Sequence, residues 1–224
     1  MLLNNDNAYF YYEENDNCLV DELSNYLNHF IDQIYDFFNI QIKEKIKINI
    51  ISKKETFDNK LKEEFNMPVI SKSSRGFFSY KDNAIYYLSI NDYDKTTHDK
   101  NDIENYKKTL VHECVHYINN LFNKENNCGA TAIYLREGIA VYLSHQNDNK
   151  SLIFDYTLND FLNNSKVIKN CYAGYYLIVK YLVENYDKSF VLDLLTSSRQ
   201  ANLFLKDELY EKANTFYNKK QNKI

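Results

Sequence analysis

The stretch that decides the fold is His112-Glu113-Cys114-Val115-His116, an H-E-x-x-H sequence near the middle of the chain. Residues four apart lie one above the other on a helix, so both imidazoles point the same way. Two histidine nitrogens on one helix face supply half of a tetrahedral zinc site, and a glutamate between them can act as general base on a water molecule. The motif therefore predicts a metal centre carried by a helix.

An apolar pattern of helical spacing surrounds the motif and extends from 103 to 122. Its stripe consists of Ile103, Tyr106, Leu110, Cys114, Tyr117 and Leu121. Such a stripe predicts a helix with one face in the core. His112 and His116 lie nearly opposite the centre of the stripe, whereas a structural histidine would more naturally lie within it. The pattern favours metal ligands over the alternative, an incidental pair of histidines.

A third protein ligand is needed if the site is to keep one position for water. Glu137 is the candidate, in a segment, 131–145, that the pattern predicts to be a second helix. An ionised carboxylate among apolar neighbours is costly unless it is paired or binds a metal. The alternative is a half-exposed Glu137 paired with Arg136 or a lysine. Gly138 costs a helix up to about 1 kcal/mol, which a close approach to another helix would explain.

The order H-E-x-x-H and then E-G-x-A-x-Y resembles the gluzincin class of zinc metallopeptidases, and within it the small peptidase MA-like proteins. The resemblance extends over about residues 20–215. It implies an α+β, zincin-like fold with a short N-terminal mixed or antiparallel sheet, an active-site helix and a mainly helical C-terminal half. It also implies one Zn²⁺ per chain on His112, His116 and Glu137, with Glu113 as the catalytic base.

Several further segments resemble parts of that fold. They are the strand 45–52, the helix 56–65, the hairpin 75–80 with 84–88, and a tyrosine-bearing helix over 170–186. Tyr172 falls where larger gluzincins place the tyrosine that stabilises the transition state, with Tyr175 and Tyr176 as alternatives. Apolar periodicity predicts additional helices at 19–38, 158–164, 188–198 and 202–217.

The chain departs from two branches of the class. It lacks the G-x-M-E-N-like segment with which aminopeptidase gluzincins hold a substrate amino terminus, which argues against exopeptidase action of that type. Val141 stands where the thermolysin-like branch has an aspartate that orients a ligand histidine. Such partners fix the orientation of metal ligands, and the sequence does not name them here.

The resemblance predicts a zinc-dependent peptidase, a hydrolase whose partner is a peptide or protein substrate. The strand 77–80 or the strand 85–88 could offer an open edge to an extended peptide. The main alternative is a catalytically weak or inactive zinc-bearing domain that binds or regulates. Another hydrolytic use of the same site is a third possibility.

Length and composition favour one domain over 19–217. A polar segment, 1–18, precedes it as disorder or an edge segment, and a basic tail, 218–224, is expected to fray. The net charge is −4 with both signs interspersed, which argues against nucleic-acid binding. The sequence contains no apolar run long enough to predict a membrane span.

The remaining signals concern the compartment. The start of the chain lacks the basic and apolar regions of a secretory signal, which predicts a cytoplasmic protein, with a processed secreted form as the alternative. The four cysteines show no CxxC spacing and do not suggest a disulfide framework. Cys114 falls in the apolar stripe and is predicted to be a buried free thiol.

Overall fold

The computed structural model describes residues 1–41, 44–67, 69–162 and 171–221. The chain forms two compact units, residues 1–118 and 119–224. Parts of three predictions fall outside the described residues: 163–164 of the helix 158–164, residue 170 of the helix 170–186, and 222–224 of the tail. The single domain over 19–217 stays a prediction.

The described part of the first unit combines a five-stranded mixed sheet with helices. In chain order its elements are β1 (Leu2–Asn4), β2 (Ala8–Tyr11), α1 (Asn17–Phe38), β3 (Ile46–Ile51), α2 (Lys54–Phe65), β4 (Gly76–Ser79), β5 (Ala84–Leu88) and α3 (Ile103–Glu125), which continues beyond residue 118. The strand order is β1-β2-β3-β5-β4. Strand β3 pairs in parallel with β2 and β5, whereas β1 pairs with β2 and β4 with β5 in antiparallel fashion.

The first eighteen residues, for which the sequence allowed disorder or an edge segment, contain strands β1 and β2. Ala8 and Phe10 of β2 are fully buried. The buried carboxylate of Asp16 accepts hydrogen bonds from the side chains of Ser89 and Asn91. A buried carboxylate is tolerated when it is hydrogen-bonded in this way. Asp16 thereby joins the start of α1 to the chain that follows β5.

Two buried tyrosines fasten the motif helix α3 to the end of β5. The Tyr87 hydroxyl donates to the carbonyl of Tyr106, and the Tyr106 hydroxyl donates to the carbonyl of Leu88 at 3.0 Å. Burial raises the pKa of both hydroxyls well above the usual value, so both remain protonated donors. The helix predicted over 103–122 is confirmed as α3. Its buried Tyr106 packs at the end of β5.

Regular structure in the described part of the second unit is helical. After α3 come α4 (Ile133–Leu143), α5 (Leu158–Leu162), α6 (Cys171–Asn185), α7 (Lys188–Thr196), α8 (Ser198–Phe204), a π-helical turn (Leu205–Leu209) and α9 (Tyr210–Gln221). Helices were predicted at each of these places, but the one expected over 202–217 begins earlier and contains the π-helical turn. None of the described helices is both long enough and apolar enough to cross a membrane.

Helices α4 and α6 approach closely at Gly138. A β-carbon built on Gly138 would lie 2.5 Å from the carbonyl oxygen of Tyr175 and 2.6 Å from Cγ2 of Val179. Neither distance leaves room for a methyl group, so this spacing requires glycine. The close helix–helix approach expected at Gly138 is therefore confirmed, and it fixes the position of the neighbouring Glu137 along α4. The fold is α+β, with a mixed sheet followed by helices.

Candidate metal centre

His112 and His116 face each other across one turn of α3. Their Nε2 atoms are 3.1 Å apart, and their rings stand at 87° with centroids 4.7 Å apart. A tetrahedral zinc ion with Zn–N distances of about 2.0–2.1 Å would hold two nitrogens about 3.3–3.4 Å apart. The two imidazoles are therefore already spaced to share one ion, as the i,i+4 arrangement predicts.

Glu137 of α4 completes a group of three. One ligand atom from each of His112, His116 and Glu137 lies within 4.8 Å of the others. His112 and Glu137 are buried and His116 is half-buried. Closure around one ion asks the atoms to move inward by at most about 1.5 Å, which a side-chain adjustment can supply. These three residues can hold a metal ion.

The donor set indicates which ions suit the group. Two imidazoles and one carboxylate are the protein ligands of several catalytic zinc sites, where a fourth position stays open for water or substrate. Imidazole also suits cobalt and nickel, so the donors define a transition-metal site rather than a single element.

The carboxylate of Glu137 is held by its neighbour in the chain. Arg136 directs two nitrogens at the same oxygen, with Nε 3.0 Å and Nη2 2.9 Å from Oε1 of Glu137. Glu137 is only 8% exposed, so the half-exposed alternative was wrong, but its pairing with Arg136 was right. Pairing and membership of the metal group occur together, and the sequence had presented them as alternatives.

Hydrogen bonds at Thr131 fix the approach to α4. The Thr131 hydroxyl donates to Oδ1 of Asn119 at 3.2 Å and accepts from Nδ2 of Asn123 at 3.3 Å. Asn119 and Asn123 lie in the last turns of α3, the helix that carries the histidines. The loop that leads to Glu137 is therefore tied directly to the motif helix.

Glu113, the predicted base, is buried beside the start of β4. A β-carbon built on Gly76 would lie 3.0 Å from Cγ of Glu113 and 2.9 Å from the ring of Tyr87. Glu113 is 8% exposed. Glycine at position 76 therefore gives the Glu113 side chain the room that it occupies.

Strand β4 lies at the edge of the sheet, whereas β5 lies between β3 and β4. Of the two strands considered for peptide pairing, the one within 77–80 is an edge strand of the sheet in the described part of the chain, and its Phe77 and Phe78 are buried. The Leu88 amide donates to the Arg75 carbonyl at 2.8 Å, so residues 75 and 88 form a hydrogen-bonded antiparallel pair. Alternation then directs the backbone groups of Gly76 and Phe78 away from β5.

The three tyrosines considered for transition-state stabilisation differ in their surroundings. Tyr172 lies in the first turn of α6 and is 48% exposed. Tyr175 is buried, and burial, with smaller effects from Cys171 and Glu137, raises its pKa to about 12. The Tyr176 hydroxyl donates to Oδ1 of Asp148 at 3.1 Å. Tyr176 thus has a structural partner, and the choice of Tyr172 stays a prediction.

His145 lies outside the group formed by His112, His116 and Glu137. It follows the end of α4, and its Nδ1 bonds to Asp148, the carboxylate that also accepts from Tyr176. The four cysteines are free, and Cys114 is buried as predicted. Burial raises the pKa of the Cys114 thiol well above its usual value, which makes it a poor nucleophile.

Comparison with protein-family models, with curated proteins and with solved structures finds no match for the chain. The gluzincin resemblance and the zincin-like fold therefore stay predictions.

Proposed function

We propose that the protein is a zinc-dependent peptidase with a zincin-like fold. The observation that carries the proposal is the group formed by His112, His116 and Glu137 within 4.8 Å. Their spacing and donor types suit one zinc ion, and Glu113 lies between the two histidines on the same helix. The three ligands and the base come from one motif and one neighbouring helix, which is the arrangement that the sequence predicts.

A bound zinc ion would supply Lewis-acid activation of water and of the scissile carbonyl. Glu113 takes the proton from the attacking water at a carboxylate oxygen and passes it to the leaving amine. Burial limits the space around that carboxylate, and the glycine at position 76 leaves the room that the side chain occupies. A base that is held in place in this way is oriented for proton transfer before the substrate arrives.

The outer edge of β4 would hold the substrate. Gly76 and Phe78 direct their backbone groups to that edge, so an extended peptide can add to the sheet as a further strand. Gly76 also adjoins Glu113. A peptide paired with Gly76 would therefore pass close to the proposed base, with its backbone rather than its side chains setting the alignment.

Tyr172 would donate a hydrogen bond to the oxyanion that develops on the scissile carbonyl. Its exposure at the start of α6 leaves the side chain accessible to a substrate. A donor of this kind matters most in the transition state, where the charge is greatest.

The test is turnover of an unstructured protein, such as casein, by the zinc-loaded chain and by Glu113→Gln. We expect cleavage by the parent, a loss of about 10²–10⁴-fold in the variant, and about one zinc per chain in both. Glu125→Gln, an exposed glutamate on the same helix, is the matched control and should cleave like the parent. Zinc binding without cleavage would support the rival function, a zinc-bearing domain that binds or regulates.

A further inference from the structure

We propose that Arg136 is a positioning residue for the metal centre: its guanidinium holds the Glu137 carboxylate in the orientation that completes the group with the two histidines. The inference rests on the metal site of the proposed function but not on peptidase activity. It assigns a role in the metal centre to a side chain that the H-E-x-x-H pattern does not contain.

The contacts of Arg136 carry the inference. Nε and Nη2 both point at Oε1 of Glu137, at 3.0 and 2.9 Å. Charge-assisted hydrogen bonds from a guanidinium are strong and directional, and two of them on one oxygen restrict rotation of the carboxylate. The Glu137 side chain is 11% exposed, so water competes little for these bonds on the carboxylate side.

The choice of oxygen has a chemical consequence. An oxygen that accepts two bonds from a cation has less electron density to donate to a metal ion than the other oxygen of the same carboxylate. Arg136 therefore favours coordination through one oxygen of Glu137 rather than two. A single carboxylate oxygen and two imidazoles keep a fourth position of a tetrahedral ion for water or substrate.

The guanidinium also offsets the cost of burying the carboxylate while no metal is bound. A buried ionised group is tolerated when it is paired and hydrogen-bonded. Glu137 can thus stay oriented before the metal arrives. Arg136 thus orients the carboxylate ligand, which is a different task from that of the aspartate that Val141 replaces, since that aspartate orients a ligand histidine.

The test measures metal affinity rather than activity. Zinc dissociation constants are determined by chelator competition for the parent, Arg136→Gln, Arg136→Lys and the control Arg199→Gln. Arg199 is an exposed arginine on α8. Loss of a partner that orients a ligand typically weakens metal affinity by about 10–100-fold. We expect that loss of zinc affinity in Arg136→Gln and parent-like affinity in Arg199→Gln. Arg136→Lys should recover part of the affinity, because an ammonium group keeps the charge but cannot direct two nitrogens in a fixed geometry at one oxygen.

A second measurement separates positioning from a general loss of stability. Cobalt(II) replaces zinc, and the visible absorption is recorded per bound cobalt, because four-coordinate cobalt absorbs more strongly than ions with more ligands. Arg136→Gln should absorb more weakly per bound ion as both carboxylate oxygens become available. A merely destabilised fold would bind less cobalt with an unchanged spectrum.

Three results would overturn the proposal. Zinc affinity within twofold of the parent in Arg136→Gln would make Arg136 only a surface partner of Glu137. Tighter binding would mean that Arg136 competes with the metal. A parent chain that binds no metal would remove the centre itself. A chain that binds zinc but cleaves no peptide removes the proposed peptidase and leaves this inference intact.

Discussion

Glu113 and Glu137 are equally buried, each 8% exposed, but their surroundings differ in kind. Glu113 lies against a strand end, where Gly76 leaves room for its side chain. Glu137 lies on a helix whose next residue, Gly138, packs on α6, and a guanidinium binds one of its oxygens. The room left at Gly76 bears on the first side chain, and a guanidinium that donates two hydrogen bonds to one oxygen holds the second.

The difference agrees with the two roles proposed. A general base gains and loses a proton in each cycle, so a permanently matched cation would oppose its protonation. A metal ligand keeps its charge throughout, so a permanent cation beside it is tolerated. Two carboxylates of equal exposure can thus serve different functions because of the groups that hold them.

The largest expected effect is a difference in zinc content between variants of the two glutamates. Glu137→Ala removes a ligand and should lose the zinc ion, whereas Glu113→Gln should keep about one zinc per chain. The physical reason is that two imidazoles alone supply half of a tetrahedral site. Elemental analysis of chains purified without added metal measures the difference, with Glu125→Ala as the control. Full zinc content in Glu137→Ala would remove Glu137 from the ligand set.

The next prediction concerns α6, the helix that packs against α4. Tyr172→Phe should lower turnover by about 10²–10³-fold with unchanged zinc content, because an oxyanion donor acts in the transition state. Tyr176→Phe should instead cost about 1 kcal/mol of folding free energy, since it removes a hydrogen bond to Asp148.

Steady-state kinetics and thermal unfolding of the Tyr172, Tyr175 and Tyr176 phenylalanine variants separate these outcomes. A turnover defect confined to Tyr175→Phe would move the oxyanion role from Tyr172 to Tyr175, one turn further along α6. A defect in none of the three would mean that α6 does not supply the donor.

A third prediction concerns the two glycines, beginning with Gly138. In Gly138→Ala the new methyl group would meet a backbone carbonyl at 2.5 Å, and a helix backbone cannot shift cheaply. Overpacking typically costs about 1–3 kcal/mol, and the better helix propensity of alanine returns up to about 1 kcal/mol. We expect a net loss of folding stability, measured by urea unfolding, together with weaker zinc binding as Glu137 is displaced. Gly129→Ala is the control, because its β-carbon would meet nothing within 4 Å. Unchanged stability in Gly138→Ala would mean that α4 and α6 can separate without cost.

The sequence predicts some parts of the site better than others, and the reason is physical. His112, Glu113 and His116 are fixed relative to one another by helix geometry alone, so their spacing was readable. Glu137 was found because a carboxylate in an apolar run demands a partner. The sequence could name Arg136 as a partner of Glu137, but it could not show that this pairing and membership of the metal group occur together. The reason is that an arginine beside a glutamate can point in several directions. Only packing selects the direction in which both nitrogens reach Oε1.

The glycines show the same limit. The cost of a glycine within a helix indicated a close contact at Gly138. The contacting groups, Tyr175 and Val179, could not be predicted because they are distant in sequence. Gly76 gave no indication of a close contact, because a glycine at a strand end is common. Strands β1 and β2 were equally hard to predict, since short strands rely on partners across the sheet rather than on local pattern.

The smallest expected effect tests how much the room left at Gly76 matters to Glu113. In Gly76→Ala the added methyl group would lie 2.9 Å from the ring of Tyr87, which is fully buried and hydrogen-bonded to Tyr106, and 3.0 Å from Cγ of Glu113. Folding stability should fall by about 1 kcal/mol, since the cost of overpacking is partly offset by the lower flexibility of alanine in the unfolded chain. Turnover should fall by roughly tenfold, because small displacements of a base are costly, while zinc content stays at the parent level. Kinetics, urea unfolding and elemental analysis on one preparation give all three values, with Gly129→Ala again as the control. A loss of zinc in Gly76→Ala would show that the strand end supports the whole centre, and the contrast between the two carboxylates would then fail.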